Sequence, residues 1–357
     1  MNAEIKTSII LGGVIVVGIV FLVMIFIGLD ESLIINQSLV DRKAPNLVGI
    51  SHYLNTSSKE LAEIMENKVI LYDIWTYSCI NCIRTLPFIT SWDEKYSEQG
   101  LLIIGIHSPE FEFEKDPQNV KIAIEKYGIT YPVVMDNNMQ TWKAFENNYW
   151  PRKYIADHEG NLRYDHIGEG GYQETEKIIQ QLLDERAVAM SIDNILKKQL
   201  VSIEEFEHTL FRTPELYFGY KFAQNRNQLG SDEGFQPEKI VKYNEPNNIE
   251  LNKFYPIGNW KNHKDSMELM ESTGSIKVSF NAKEVNIVTE NNAQLEIFLD
   301  GVELTKKYAG SDISFGNKID VSNAGMYNII STESSISHEM EIIIEGKGFQ
   351  AFTFTFG

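Results

Sequence analysis

The chain has 357 residues, of which 43 % are hydrophobic and 11 % aromatic, and this composition supports packed cores rather than a disordered chain. The 50 acidic and 32 basic residues give a net charge of −18, which repels phosphate backbones and argues against nucleic-acid binding. At about 150 residues per domain, the part of the chain after an apolar N-terminal segment predicts two folded domains.

The first predicted element is a membrane anchor at residues 1–30. Residues 8–29 carry no charge and are rich in Ile, Val, Leu and Phe. At about 1.5 Å per residue, a helix of this length spans a bilayer core of roughly 30 Å. Lys6 precedes the apolar run and Asp30 follows it. The positive-inside rule therefore predicts a single-pass membrane protein with a cytoplasmic N-terminus and with the residues after the helix outside the cytoplasm. The run is longer than that of a cleavable signal peptide, which favours an uncleaved anchor.

Residues 43–187 alternate short apolar runs with helical patterns, which predicts an α/β layer architecture. Strands are predicted at residues 69–75, 101–106 and 131–135, and a hairpin at residues 154–156 with 162–166. Helices are predicted at residues 83–96, 118–127, 139–147 and 173–187. Residues 188–212 are predicted to form a polar, mostly helical connector.

The pattern changes in the C-terminal part, at residues 213–357. Apolar residues alternate with polar ones, and turn sequences such as Asp300-Gly301 separate the runs. This pattern predicts an antiparallel β-sandwich or jelly-roll, whose alternate residues face its core. The alternating apolar residues are Ile276, Val278, Phe280, Leu295, Ile297, Leu299, Phe352, Phe354 and Phe356.

Cys79 and Cys82 are the two cysteines of the chain, in a C-x-x-C arrangement. They follow a predicted strand and precede a predicted helix, so Cys79 stands at a helix N-terminus, where unpaired backbone N–H groups favour the thiolate. On a helix, the i, i+3 spacing brings the two Cβ atoms within about 5 to 6 Å, close to disulfide geometry. The pattern predicts a reversible redox pair in which Cys79 is the nucleophile.

Other uses of the two cysteines have less support. A zinc site needs further ligands, and the sequence has neither more cysteines nor an H-x₃₋₅-H pair. Covalent haem attachment needs a histidine where Ile83 stands. A peroxidatic cysteine agrees with Thr76 at T-x-x-C spacing, but Tyr72 stands where similar peroxidases carry proline. The zinc and peroxidase interpretations remain as minor alternatives.

Asp73, Trp75, the two cysteines and Pro87 together resemble the thioredoxin active-site pattern in residue type and spacing. Longer segments resemble the soluble part of DipZ-type proteins, namely residues 75–87, 107–111, 149–151, 168–172, 213–215 and 351–357. The resemblance covers nearly everything after about Lys43. It implies a thioredoxin-like domain at residues 43–187, and an all-β domain, similar to a carbohydrate-binding module, at residues 213–357.

The resemblance also implies an enzyme, a thiol–disulfide oxidoreductase without cofactor or metal. Its implied catalytic residues are Cys79, Cys82, Asp73 and Pro151, and its implied substrate groove contains Trp75 and Trp150. In this interpretation Cys79 attacks a disulfide, and Cys82 resolves the mixed disulfide. Asp73 stands in an apolar strand, where burial brings the carboxyl pKa toward the working pH and allows a proton relay to Cys82. Pro151 corresponds to a cis-proline facing the cysteines.

The implied partners are extracytoplasmic proteins that contain disulfides or thiols. DipZ-type proteins carry a multi-helix electron-transferring membrane domain, whereas one helix is predicted here. A separate integral membrane electron donor of the DipZ or CcdA type is therefore expected. The direction of electron flow stays open, because the dipeptide Ile80-Asn81 matches neither of the best-known dipeptides of the thioredoxin family.

The alternative function is that of a surface binding protein. In this interpretation the β-sandwich recognises a glycan or a protein, and the redox pair is only ancillary. Some aromatic residues in turn-rich stretches could stack on such a ligand, although core packing is favoured. These residues are Tyr255, Trp260 and Tyr308. His107 and the acidic residues Glu110, Glu112 and Glu114 are interpreted as a solvated loop rather than as metal ligands.

Overall fold

The computed structural model of the chain describes residues 42–193, 199–207 and 212–357. The predicted membrane anchor at residues 8–29 lies outside these ranges. Within them, no helix combines the length and the apolar character that crossing a bilayer requires. The described residues form an α/β region, residues 42–193, and a β-rich region, residues 212–357, with residues 199–207 between them.

The α/β region is built on a six-stranded sheet. Its strands are β1 (His52–Leu54), β2 (Val69–Trp75), β3 (Leu101–His107), β4 (Val133–Met135), β5 (Arg152–Ala156) and β6 (Leu162–Ile167). Their order is β1-β4-β3-β2-β5-β6. Strands β2, β3 and β4 are parallel, whereas β5 is antiparallel to both β2 and β6. The predicted strands and the hairpin are confirmed, and β1 has no counterpart among the predictions.

The helices of this region are α1 (Ser58–Ile64), α2 (Ile80–Tyr96), α3 (Pro117–Lys126), α4 (Gln140–Ala144) and α5 (Tyr172–Met190). The predicted helix at residues 139–147 is too long. The Asp136 carboxylate accepts the backbone N–H groups of Gln140 and Trp142, both at 2.7 Å, and so fixes the start of α4. Glu146 has a φ of 53°, which is incompatible with a continuing helix.

Alternation along β2 divides the core of the α/β region into two layers. Leu71 and Trp75 belong to the apolar cluster that also contains Cys82 of α2, whereas Tyr72 belongs to the cluster on the other face of the sheet. Asp73 stands between Leu71 and Trp75 in this alternation. Its side chain therefore points to the face that carries the thiol pair.

The prediction of a mostly helical connector is wrong. Helix α5 ends at Met190, and the described residues 199–207 contain no helix. This segment is instead fixed by the α/β region. The side chains of Val201 and Ile203 pack against its core, and the backbone N–H of Val201 donates to Oε2 of Glu176 at 2.8 Å. These contacts fix the segment in a non-helical conformation against the α/β region.

The β-rich region contains one short helix, α6 (Tyr220–Ala223), within the described residues. Its strands are β7 (Leu216–Tyr217), β8 (Ile240–Tyr243), β9 (Phe254–Asn262), β10 (Met267–Leu269), β11 (Thr273–Glu290), β12 (Ala293–Leu299), β13 (Val302–Glu303), β14 (Lys318–Val321), β15 (Gly325–Glu345) and β16 (Gln350–Phe356). The pairings between these strands are antiparallel, as predicted. The long strands β11 and β15 pair along most of their lengths. The C-terminal part is therefore a β-rich domain.

A β-bulge in β16 sends one of the three C-terminal phenylalanines to a different core. Val288 of β11 pairs with Thr353, but the next residue of β11, Thr289, pairs with Ala351, so Phe352 is the extra residue of the bulge. Phe354 packs inside the β-rich core, whereas Phe352 belongs to the core cluster of the α/β region. The prediction that these phenylalanines are core residues is confirmed, with Phe352 serving to join the two regions.

An ion pair also joins the two regions beside α2. Nη2 of Arg84 donates to Oε2 of Glu284 in β11 at 2.5 Å, and Arg84 lies 3.8 Å from Glu169. The guanidinium stands 3.5 Å from the centre of the Phe206 ring, in the segment between the two regions. Arg84 therefore contacts three parts of the chain.

Candidate active site

The two cysteines differ in their access to solvent. Cys79 is half-buried and is the N-cap residue of α2, whereas Cys82 lies in the first turn of this helix and is 1 % exposed. Both are free thiols. The backbone N–H of Cys82 donates to Sγ of Cys79 at 3.2 Å, as a helix N-terminus does to an anion. Of the two, Cys79 is the thiol that another protein can reach.

The buried thiol of Cys82 is held in its protonated form. Burial, and then the neighbouring Cys79, raise the pKa of Cys82 well above its usual range. A thiol must lose its proton before it attacks a disulfide. Cys82 therefore needs a base within the same buried site.

Asp73 is a carboxyl of this buried site. It is 1 % exposed, and burial raises the pKa of its carboxyl from 3.8 to about 6, against the opposing effect of Lys153. Its Oδ1 has no hydrogen-bond partner among the described residues. Asp73 and Cys82 act on each other electrostatically, because the charge of Asp73 also raises the pKa of the Cys82 thiol. A carboxyl with a pKa near neutrality exchanges protons readily at working pH.

Lys153 is a buried charged residue of this site that sequence reasoning missed. It is the cross-strand partner of Asp73 in the antiparallel pair of β2 and β5, and it is 0 % exposed. Its Nζ donates to the carbonyl of Gly168 at 3.0 Å. Burial lowers the pKa of Lys153 from 10.5 to about 8, against the attraction of Asp73. The sequence contains a signal for its burial, because Lys153 lies two residues before the core residue Ile155 and so faces the same side of the strand. The predicted strand begins at Tyr154, however, and does not include Lys153.

Trp150 and Pro151 directly precede β5, beside the carboxyl end of β2. The peptide bond between them is cis, as the resemblance implies. Trp150 is half-buried, with its Nε1 donating to the carbonyl of Ser108 at 2.9 Å and its ring centre 4.2 Å from that of Trp142. Its ring is therefore held in place while part of it stays accessible.

Trp75 does not line a substrate groove. It is 0 % exposed, because β2 is an interior strand of the sheet covered on both faces. Its ring meets the edge of the His107 imidazole at a centroid distance of 5.4 Å. The prediction of a groove position for Trp75 is therefore wrong, and this residue packs in the core beneath the site.

The acidic run after β3 is only partly a solvated loop. Glu112 is exposed and Glu110 is half-buried, but Glu114 and His107 are both 0 % exposed. The interpretation of a solvated loop is therefore wrong for these two residues. His107 is the last residue of the interior strand β3, and Phe111 and Phe113 near Glu114 pack against Phe352 of the β-rich region. No group of three or more His, Cys, Asp or Glu side chains within the described ranges is arranged to hold a metal ion.

A cleft of about 590 Å³ opens on the dipeptide between the cysteines. Ile80 and Asn81 line it on one side, so it lies beside the accessible thiol. The opposite wall belongs to the β-rich region and is both charged and polar. Its residues are Arg212, Thr213, Pro214, Glu215, Arg226, Gln228, Thr355 and Phe356. Both regions of the molecule thus border the approach to the thiol pair.

The aromatic residues considered as a ligand platform are mostly core residues. Tyr255 and Trp260 lie in β9 rather than in turns, and they are 2 % and 0 % exposed. Tyr308 is half-buried, with its ring centre 5.5 Å from that of His338. Tyr255 and Trp260 therefore have no free ring face with which to stack on a ligand, in agreement with the favoured prediction.

The six-stranded sheet, with an accessible thiol at the N-cap of a helix and a buried thiol in its first turn, defines a thioredoxin-like enzyme of thiol–disulfide exchange. Two family models agree with this class. A model described as Redoxin matches residues 39–183. A model described as Thioredoxin like C-terminal domain matches residues 213–357.

The chain is 30 % identical to the thiol-disulfide oxidoreductase YkuV of Bacillus subtilis over 141 residues, which make up 40 % of this chain and 94 % of that protein. The chain belongs to the family of thioredoxin-like thiol–disulfide oxidoreductases. It is also 32 % identical to the protein DipZ of Mycobacterium bovis over 317 residues, 88 % of this chain, and the match covers 43 % of the length of DipZ. A solution structure of an oxidised thioredoxin-like protein aligns with 40 % of this chain and 96 % of its own, at 29 % identity and a TM-score of 0.37.

Proposed function

We propose that Cys79 and Cys82 are the redox pair of this oxidoreductase and that they exchange electrons with extracytoplasmic proteins that contain disulfides or thiols. One observation carries the proposal. Cys79 is the half-exposed N-cap of α2, with its Sγ accepting a hydrogen bond from the backbone N–H of a completely buried Cys82. This geometry gives one thiol for attack and a second, protected thiol for resolution.

In the proposed cycle, the Cys79 thiolate attacks one sulfur of a client disulfide. The client S–S bond breaks, a mixed disulfide with Cys79 forms, and the second client sulfur leaves as a thiolate that takes up a proton. Cys82 then loses its proton and attacks Sγ of Cys79, which breaks the mixed disulfide and releases the first client sulfur. The client gains two electrons and two protons, and the enzyme keeps a Cys79–Cys82 disulfide. The reverse sequence oxidises a client dithiol.

We assign the proton transfer of the second step to Asp73. Its carboxyl is buried on the face of the sheet that carries Cys82, and its pKa of about 6 suits a group that accepts and returns a proton near neutral pH. Lys153, its cross-strand partner, opposes the build-up of negative charge when Cys82 ionises.

We assign the client contact to the surface around Cys79. We place Pro151 and the accessible part of Trp150 on one side of it, because they directly precede β5 beside the carboxyl end of β2, and the cleft lined by Ile80 and Asn81 on the other. Because residues of the β-rich region form the far wall of that cleft, this region contributes to the choice of client. A β-sandwich at residues 213–357, a thioredoxin-like domain at 43–187 and a connector at 188–212 remain our proposed division of the chain.

A redox titration and a trapping experiment test the assignment of the pair. In glutathione buffers of increasing oxidised fraction, we expect Cys79 and Cys82 to pass together from dithiol to disulfide, measured by alkylation and mass spectrometry. Cys82→Ser is expected to accumulate client proteins as mixed disulfides through Cys79, because exchange stops after the first step. Cys79→Ser is the matched control. Trapping by Cys79→Ser and not by Cys82→Ser would contradict the assigned order.

The proposed location outside the cytoplasm depends on the anchor predicted at residues 8–29. An extracytoplasmic dithiol requires a supply of electrons across the bilayer, and the anchor sequence has no cysteine to carry them. We therefore propose a separate integral membrane electron donor of the DipZ or CcdA type. Protease added to intact cells is expected to digest residues 43–357. Protection of this part, while a known surface protein is cut, would contradict the location and the donor together.

A further inference from the structure

The side chain of Glu114 lies buried behind the loop that leads to the thiol pair. It is 0 % exposed. Its Oε1 accepts hydrogen bonds from the hydroxyl groups of Thr76 and Ser78, each at 2.5 Å. Its Oε2 accepts from the backbone N–H groups of Glu110 at 2.6 Å and Phe111 at 2.9 Å. Four donors therefore converge on one carboxylate, which is satisfied without a proton of its own.

The hydrogen bond from Thr76 to Glu114 fixes which ring nitrogen of the neighbouring His107 carries a hydrogen. Nε2 of His107 lies 3.3 Å from Oγ1 of Thr76. Because Thr76 gives its only hydroxyl hydrogen to Glu114, Nε2 must carry the hydrogen that it donates to Thr76. Burial lowers the pKa of His107 to about 3, so its ring is neutral, with Nδ1 unprotonated. The chain of donors runs from His107 through Thr76 to the Glu114 carboxylate.

This carboxylate acts on the segment that positions Cys79. Thr76 and Ser78 flank Tyr77, and Ser78 directly precedes Cys79. The backbone N–H of Cys79 donates to the carbonyl of Thr76 at 3.3 Å. Fixing Thr76 and Ser78 therefore fixes where the Cys79 sulfur stands relative to the first N–H groups of α2, and these groups stabilise its thiolate.

Glu114 in turn depends on the β-rich region for its own position. It lies in the short 3-10 helix Glu112–Lys115, and Phe111 at the N-cap and Phe113 within this helix pack against Phe352 of β16. The ring centre of Phe352 lies 5.1 Å from that of Phe111 and 4.7 Å from that of Phe113. The β-rich region thus covers the segment that holds the carboxylate.

We propose that Glu114 is a positioning residue for the thiol pair: its buried carboxylate fixes Thr76 and Ser78, and so keeps the Cys79 sulfur at the N-terminus of α2. The inference rests on the proposed redox role of Cys79 and Cys82. Loss of the carboxylate loosens the loop and weakens the stabilisation of the Cys79 thiolate. The reduced enzyme then becomes less stable relative to its disulfide, because the disulfide form carries no thiolate to stabilise.

Glu114→Gln in the full chain tests this role, because the amide keeps the size of the side chain but presents an N–H₂ group to two of the four donors. We expect the glutathione equilibrium of the pair to shift about tenfold toward the disulfide, or about 30 mV toward a more reducing enzyme. Alkylation of Cys79 by iodoacetamide is expected to slow, since the thiolate is the reacting form. A purely structural role would lower stability without moving either quantity in the folded protein.

Glu112→Gln is the matched control. Glu112 lies in the same 3-10 helix, but its side chain is exposed and, within the described residues, pairs only with Lys115. It is expected to leave both quantities unchanged. If Glu114→Gln fails to fold, Ser78→Ala, which keeps the carboxylate and three of its donors, is expected to shift the equilibrium in the same direction by a smaller factor.

Three results would overturn the positioning role. The first is a wild-type glutathione equilibrium and alkylation rate in Glu114→Gln, or in Ser78→Ala where that variant replaces it. The second is an equal shift of the equilibrium in Glu112→Gln, and the third is a shift toward the dithiol, which would mean that the carboxylate acts through its charge. Failure of the unchanged enzyme to form a disulfide in glutathione buffers would instead contradict the proposed function of the pair. The two failures are therefore distinguishable.

Discussion

The two regions of the molecule differ in what they bury. Among the described residues, the buried acidic and basic side chains lie in the α/β region, and they are Asp73, His107, Glu114, Asp136, Lys153, Asp157 and Glu176. The buried polar side chains of the β-rich region are neutral, and they are Thr213, Gln228, Asn262, Ser266, Ser275, Asn286, Thr289, Asn317, Thr353 and Thr355. Burying a charge is costly unless it is paired or used.

In the proposed function this difference matches a division of roles between the two regions. We assign Asp73, Lys153 and Glu114, which act on Cys82 or on the loop before Cys79, to thiol exchange. The β-rich region contributes apolar packing through Phe352, an ion pair through Glu284, and one wall of the cleft beside the cysteines. We therefore expect substitutions in the first region to change reactivity, and those in the second to change stability or client choice.

The largest expected effect comes from removing the accessible thiol. Cys79→Ser is expected to lower the rate of catalysed disulfide reduction by more than about 1,000-fold, because a hydroxyl does not replace a thiolate as nucleophile. The assay is reduction of a disulfide-containing protein by dithiothreitol with and without the enzyme. Phe315→Ser, at a position of the β-rich region that is 85 % exposed, is the control and is expected to retain full activity. Equal losses of activity in the two variants would contradict the expectation that reactivity depends on the α/β region.

The contiguous parts of this arrangement can be predicted from sequence. Cys79, Cys82 and Asp73 stand within one strand–helix junction, where local periodicity and spacing decide the structure. Pro151 follows from a family pattern. The predicted groove position of Trp75 is wrong because proximity to the cysteines along the chain does not show that β2 is covered on both faces.

The remaining parts depend on contacts between distant segments. Glu114 is followed by charged residues and has the local pattern of an exposed loop, yet the β-rich region covers it. Phe352 points away from the β-rich core and into the α/β core because β16 contains a bulge of one residue. A shift of one residue exchanges the two faces of a strand. Alternation of phenylalanines alone cannot reveal such a shift.

The second prediction concerns the phenylalanine that joins the two regions. Phe352→Ala is expected to lower the free energy of unfolding by about 3–5 kcal/mol, because a buried aromatic ring is lost and a cavity remains. It is also expected to slow alkylation of Cys79, because Phe111 and Phe113 lose the ring that packs on them. Denaturant titration and alkylation kinetics measure the two effects.

Phe354→Ala provides the matched comparison, since Phe354 lies two residues further along β16 and packs inside the β-rich core. We expect a similar loss of stability with an unchanged rate of Cys79 alkylation. If the two variants slow alkylation equally, Phe352 has no special connection to the thiol pair and the two regions are coupled only through overall stability.

The third prediction uses the buried carboxyl of Asp73 and its pKa of about 6, against an ordinary 3.8. Because folding raises this pKa, the folded state binds the proton more tightly, and stability falls as the pH rises from about 4 to 6. Asp73→Asn removes this loss. We expect it to raise the free energy of unfolding by up to about 3 kcal/mol above pH 6, and by little below pH 4.

The same variant is expected to reduce disulfides more slowly near neutral pH, since an amide cannot take the proton of Cys82. Asp320→Asn, at an exposed position of β14, is the control for both measurements. A stability gain that is independent of pH would show that the effect does not come from the ionisation of Asp73. An unchanged rate of disulfide reduction would remove its role in proton transfer.

The smallest expected effect concerns the ion pair between Arg84 of α2 and Glu284 of β11. The side chains are only 10 % and 23 % exposed, so solvent screens their 2.5 Å contact weakly. Glu284→Gln removes the charge but keeps an oxygen that accepts a hydrogen bond, and Arg84 retains Glu169 and the Phe206 ring. We therefore expect a loss of about 1–2 kcal/mol in the free energy of unfolding, measured by denaturant titration.

Glu63→Gln is the comparison for this ion pair, because Glu63 contacts Lys59 on the surface of α1 at 3.8 Å, with side chains that are 67 % and 89 % exposed. Solvent and salt screen such a pair, so no measurable loss of stability is expected. A loss in Glu63→Gln as large as that in Glu284→Gln would mean that burial between the two regions adds nothing to the strength of the Arg84 pair. Unchanged stability in Glu284→Gln would mean that the β-rich region is held to the α/β region by apolar contacts such as Phe352, and not by this ion pair.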